Sequence, residues 1–233
     1  MTELLWGSTP VPSRGPKPAV TLTGIAEAAI RIADAEGLDA VSMQRVADDL
    51  PVTKMALYRY LPGKAELIAV MTDLAMGTPP ERPEQPWRET LHTWSMDLYD
   101  GFSRHPWLLL STVGQRPIGP NEMSWIDRGI RALTGSGLSG SEQLDTIVVL
   151  TGHVRTLALQ TTTMPGGRAG LTEEALLSSF TAMLTDHADR YPSLATALQT
   201  AEPDNQGLQF GLERILDGLE LLITSRKGSA SGY

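Results

Sequence analysis

The sequence predicts an all-α protein, with a small N-terminal helical domain followed by a larger helical one. Three observations carry that expectation. After residue 20 the apolar residues recur at spacings of three and four, the period of a helix with one buried face. Clusters of proline and glycine separate the patterned segments. Neither a β-rich segment nor an internal repeat interrupts them.

The elements follow in order. Residues 1–20 hold Pro10, Pro12, Gly15, Pro16 and Pro18 and read as a flexible arm carrying Arg14 and Lys17. From Thr21 to Glu36 a first helix buries Ile25, Ala28, Ala29, Ile32 and Ala33, and Gly37 stands where a C-terminal cap is expected. Ser42 can cap a short helix, Met43 to Leu50, which Pro51 ends. Thr53 can cap a third, Lys54 to Tyr60, before Pro62 and Gly63 break the chain. A fourth, Lys64 to Met76, carries Leu67, Ile68, Met71, Leu74 and Ala75. Residues 77–86 read as a linker. Helical patterns then recur at about 87–104, 106–113, 121–135, 140–162, 172–187, 191–200 and 207–225, and a disordered tail is expected over 227–233. The domain boundaries so predicted are 21–76 and 87–226.

Composition narrows the class. The chain is 233 residues long, 41% hydrophobic and 20% charged, and has no cysteine, so disulfides and thiolate metal sites are excluded. A secretory signal pattern is absent, and no apolar run approaches the ~20 residues of a membrane span, so a cytoplasmic location is expected. The formal net charge is -8, yet Lys54, Arg59 and Lys64 fall in one segment with no acid, and most of the negative excess lies beyond residue 76. A small basic patch on an acidic body fits a DNA reader joined to a separate module.

Two short helices joined by a tight turn, Met43 to Tyr60, form a candidate helix-turn-helix, whose second helix enters the major groove while the first crosses the backbone. Ala56, Leu57, Tyr60 and Leu61 share one face; Lys54, Met55, Tyr58 and Arg59 share the other. Lys54 and Arg59 can donate to phosphates or guanine edges, Met55 can meet a thymine methyl, and Lys64 can hold a phosphate at a helix start. Spacing alone also fits two amphipathic helices of an ordinary bundle.

The exact strings go further. "IADAEGLDAVSMQRVADDL" and "VTKMALYRYLPGKAELI" resemble the DNA-binding domain of the TetR/AcrR repressor family, and "RGPKP" resembles the basic arm that precedes it. The resemblance implies DNA contacts from Gln44, Arg45, Thr53, Lys54, Met55, Tyr58 and Arg59, a phosphate clamp at Lys64, and minor-groove contacts from Arg14 and Lys17. One departure stands out: family members usually have glycine where this chain has Pro51, so the turn is expected to differ or the second helix to end earlier.

"RHPWLL", "QRPIGPN", "TGHVRTLAL" and "FGLERILDGLELLI" resemble the C-terminal domain of the tetracycline-repressor-like branch. That likeness implies a ligand-binding, dimerising domain, with a homodimer formed through the helices near 140–162 and 207–225. Both helices carry broad apolar surfaces, which serve equally as monomer core. Trp94, Leu98, Phe102, Trp107, Leu110, Trp125, His153 and Met183 are the candidate pocket residues. Tetracycline sensors of the family hold a drug–magnesium chelate with a histidine in the segment corresponding to "LLSTVGQRP". Here that segment offers Thr112, and Gln160 and Thr161 stand where an acid is expected. A small hydrophobic effector and no metal or cofactor are therefore expected.

The chain then reads as a ligand-responsive regulator of double-stranded operator DNA, with repression favoured and activation left open. Enzymes compete poorly: no Gly-rich phosphate loop, Gly-x-Ser-x-Gly elbow or His-Glu-x-x-His is present, and the four histidines have no ligand spacing. A helical binding protein that has lost DNA function is the remaining class.

Overall fold

The computed structural model describes residues 2–7, 20–162, 173–184, 187–201 and 207–230, and every regular element among them is helical. Caps written in the sequence set the ends of the first helices. α1 spans Thr2–Trp6. α2, Leu22–Glu36, starts where Thr21 Oγ1 accepts from the Gly24 amide and stops at Gly37, whose φ of 89° suits glycine. Ser42 caps α3, Met43–Asp49, through the Arg45 amide, and Thr53 caps α4, Lys54–Tyr58, through the Ala56 amide. α5, Lys64–Met76, ends at Gly77 with φ 56°.

Residues 78–86 have no regular structure and are held to the body by the Arg82–Asp97 ion pair at 2.6 Å. Beyond them come α6 (Trp87–Arg104), α7 (Leu108–Ser111), α8 (Pro120–Ala132), α9 (Gly140–Thr161), α10 (Glu173–Leu184), α11 (Pro192–Thr200) and α12 (Gly207–Ala230). Proline opens α8 and α11, where its missing N–H costs nothing. Ser139 and Glu142 form a reciprocal capping box at the start of α9.

Ile25, Ala29, Ile32, Val46, Leu57, Leu61, Leu67 and Met71 are buried among α2–α5. Trp94, Leu98, Phe102, Leu150, Val154, Leu212 and Leu216 are buried among α6, α9 and α12, and the two groups belong to one continuous apolar cluster. Arg88 on α6 pins α12 by bonding Glu213 and Asp217 at 2.6 Å and Glu220 at 3.2 Å. Glycine permits a close approach nearby: a Cβ on Gly211 of α12 would lie 2.2 Å from His153 of α9, whose Nε2 donates to Leu208 O at 2.9 Å.

Several expectations are corrected. Residues 2–6 of the supposed arm are helical, and Trp6 donates its Nε1–H to Ile118 O at 3.0 Å, docking α1 beside the loop before α8. Arg14 and Lys17 lie outside the described residues. The supposed tail is helical through Ala230, because α12 runs on well past residue 225. α4 ends at Tyr58, two residues short of Tyr60, and α3 at Asp49.

Candidate nucleic-acid interface and its coupling to the C-terminal domain

α4 divides its residues between core and solvent. Leu57 is fully buried and Leu61 follows it into the core, whereas Lys54, Met55, Tyr58 and Arg59 are exposed. Met55 is 73% exposed, so its side chain is free to make an apolar contact with a partner. Lys54 Nζ sits 5.8 Å from the Tyr58 ring centroid, so the cation and the phenol form one surface feature. Lys64 is exposed at the first turn of α5, whose opening amides have no side-chain cap. Thr53 is exposed as well, but its hydroxyl is already committed to capping α4.

Gln44 and Arg45 are exposed on α3 and engaged within the domain. Gln44 Nε2 donates to Asp48 Oδ1 at 2.8 Å, and Arg45 pairs with Glu36 at 2.6 Å. Any DNA contact by Arg45 must therefore compete with an exposed ion pair, which holds only weakly.

The turn between α3 and α4 keeps the geometry of a glycine-type helix end. The Val52 amide reaches back to Ala47 O at 3.1 Å, the outer bond of a Schellman motif. Pro51 occupies the position that needs positive φ, and its φ is +25°. Of the two outcomes expected from the sequence, a different turn or an earlier helix end, the structure shows the second: α3 stops at Asp49, one residue before Leu50, while the chain still takes the left-handed bend.

The candidate pocket residues part company. Trp94, Leu98, Phe102, Trp107 and Trp125 are buried, but Leu110 and Met183 are 53% and 59% exposed. Trp94 and Trp125 meet edge-on, and their indole N–H groups donate to Trp125 O and Gly77 O at 2.9 and 2.8 Å. His153 is engaged between α9 and α12, as described above. Trp107 belongs to the junction with the N-terminal helices: its Nε1 donates to Asp34 Oδ1 of α2 at 2.7 Å, beside His105 Nδ1 at 2.8 Å.

A second junction joins α5 to α7 and α8. Thr72 Oγ1 donates to Ser111 Oγ at 2.9 Å in the interior. The buried Asp73 carboxylate accepts from the Glu122 amide at 3.0 Å, so α5 supplies the N-terminal cap that Gly119 lacks for α8. The approach is so tight that a Cβ on Gly119 would lie 2.2 Å from the Asp73 carboxyl group. Sequence reasoning passed over Asp34 and Asp73. An acid at position 73, beside Thr72 in the largely apolar last two turns of α5, was a visible signal for the latter.

Burial is the main cause that pushes the Asp73 carboxyl above its usual range, with hydrogen bonds from Glu122 and Asn121 opposing it. A raised folded-state pKa favours folding below the unfolded pKa, and that advantage is lost as pH rises through the folded one. At pH 7 Asp73→Asn therefore keeps the capping oxygen without the buried charge, and its melting temperature should equal or exceed wild type. Asp73→Ala leaves the Glu122 amide unpaired and should cost about 1–2 kcal/mol. Thermal unfolding of the two variants at pH 7 checks the order.

On the opposite side, Leu144, Val148 and Val149 of α9 and Leu221 and Leu222 of α12 are exposed, Val148 at 68% and Leu221 at 75%. A groove of about 270 Å³ beside them is lined by Val149, Ile215, Leu219 and Leu222 together with Glu142, Asp145 and Thr146. Among the described residues no helix is long and apolar enough to cross a membrane.

Comparison with known proteins agrees with this layout. Residues 25–71 match the family described as bacterial regulatory proteins, tetR family, and residues 79–223 match the tetracyclin repressor-like C-terminal domain. The HTH-type transcriptional repressor DrrR1 of Streptomyces coeruleorubidus is 37% identical over 238 residues, covering 98% of this chain and 88% of the relative. The Streptomyces coelicolor protein ActR, solved in complex with actinorhodin, is similar at 26% identity and a TM-score of 0.71, covering 88% of this chain and 96% of that one. BioQ, solved with its natural double-stranded DNA operator, shares the fold at 19% identity and a TM-score of 0.58, covering 86% of this chain and 98% of that one.

Proposed function

Because the chain belongs to the TetR family of bacterial transcriptional regulators, we propose that it is a homodimeric repressor of a palindromic operator, released when a small, largely apolar effector binds its C-terminal domain. The observation that carries this reading is the free face of α4, where Lys54, Met55, Tyr58 and Arg59 stand in solvent on a helix anchored by Leu57. Gln44, Arg45, Thr53 and Lys64 flank that face, and Arg14 and Lys17 are assigned to the arm that precedes it. Such a regulator acts in the cytoplasm, where its operator is.

Release needs only an effector that prefers one of two domain arrangements. The Asp34–His105–Trp107 contact and the Thr72–Ser111 and Asp73–Glu122 contacts are the links through which a shift of α6–α8 reaches α2 and α5. ActR in complex with actinorhodin supports a ligand-binding role for this domain. The pocket candidates that remain inside are Trp94, Leu98, Phe102 and Trp125, with Trp107 assigned to the link.

A gel-shift titration on the DNA upstream of the gene, at several salt concentrations, tests the reading. Specific binding that weakens steeply with salt is expected. Arg59→Ala should lose about 1–3 kcal/mol of operator affinity and relax base preference, whereas Lys64→Ala should weaken all sequences alike and lower the salt slope by about 1. Absence of binding, with a ligand still bound by the C-terminal domain, would favour a helical binding protein without DNA function.

A further inference from the structure

Arg155, on the inner side of α9, is a half-buried cation with no carboxylate in contact among the described residues. Its Nη1 donates to Leu109 O at 3.0 Å and to Thr112 Oγ1 at 2.9 Å, and its guanidinium lies 5.2 Å from the Phe102 ring centroid. One neutral carbonyl, a hydroxyl and an aromatic face offset part of the cost of holding a charge there, and a counter-ion would offset more. Glu122, the acid whose charge acts on Arg155, is already paired with Arg116 at 2.5 Å. Within that pair Arg116 Nε and Glu122 Oε2 are buried without partners, so the region has unmet polar demand.

We propose that Arg155 is the anchor for an acidic group on the effector, which is therefore an aromatic carboxylic acid or ionised phenol with its ring system against Phe102. The inference rests on the ligand-gated reading above and names the chemistry of its ligand. Burial, first, and the neighbouring Arg116 charge lower the pKa of Arg155, while Glu122 opposes them. An incoming anion competes for the donor that now holds Leu109 O and Thr112 Oγ1 at the end of α7. That helix also bears Ser111, bonded to Thr72 of α5, so the anion acts one contact away from the N-terminal helices.

The test uses the full-length protein and two isosteric probes, 2-naphthoate and its neutral amide 2-naphthamide, titrated by calorimetry. Wild type should bind the acid at least about tenfold more tightly, the worth of one charge-assisted hydrogen bond. Arg155→Gln, which keeps N–H donors for Leu109 O, should lose that preference, and Arg155→Lys should retain part of it. Equal affinities in wild type, no binding of either probe, or a preference that survives in a folded Arg155→Gln protein overturns the assignment. Gel shifts with the same probes separate the two ideas. Acid-selective binding that leaves the operator complex intact sinks ligand-gated release but not the anion anchor.

Discussion

Replacing Val148 and Leu221 together by glutamate should convert the protein to a monomer and lower operator affinity by at least ~100-fold. In the isolated chain both side chains already face solvent, at 68% and 75% exposure, so the substitution costs the monomer fold little. In the proposed four-helix interface between α9 and α12 of two protomers, the same positions would bury four carboxylates against apolar neighbours. Leu144, Val149 and Leu222 extend this patch, with the Arg226–Glu142 pair and, one turn before Leu221, the Arg214–Asp217 pair beside it. Sedimentation and circular dichroism read the outcome. A helical monomer that no longer shifts the operator is expected. A variant that still sediments as a dimer places the interface elsewhere.

The features legible in the sequence are those that local chemistry decides. Ser42 and Thr53 cap the helices as expected, and Thr21, read as the first residue of its helix, caps it instead, because a cap needs only a side chain and an amide three residues on. The two-faced character of α4 was equally readable from Leu57 and Leu61 against Lys54 and Arg59. Long-range contacts were not. Trp107 looked like pocket lining, since nothing near it in the chain announces Asp34, a partner 73 residues away. His153 looked like a candidate ligand contact until Gly211 and Leu208 O met it from α12. Leu110 failed as a pocket residue because α7 is a short helix of 4 residues, which presents Leu108 and Leu109 inward and leaves the third leucine outside. Periodicity cannot orient so short a helix.

Pro51→Gly should raise stability by about 1–3 kcal/mol, equivalent to roughly 3–8 °C in Tm for a chain of this size. Two effects act in the same direction. Proline's ring favours φ near −65°, so the observed +25° is strained, whereas glycine enters that region freely. Proline also lacks the N–H that would complete the inner bond of the Schellman motif to Asp48 O, leaving only the outer bond from Val52 to Ala47. Against these stands the larger chain entropy that glycine loses on folding, about 0.5–1 kcal/mol. Operator affinity should stay within about twofold, since relief of strain present in both the free and bound protein cancels from the binding free energy. An unchanged or lower Tm means that Pro51 is not strained at this bend. A raised Tm with altered affinity means that the turn sets the angle at which α4 meets the groove.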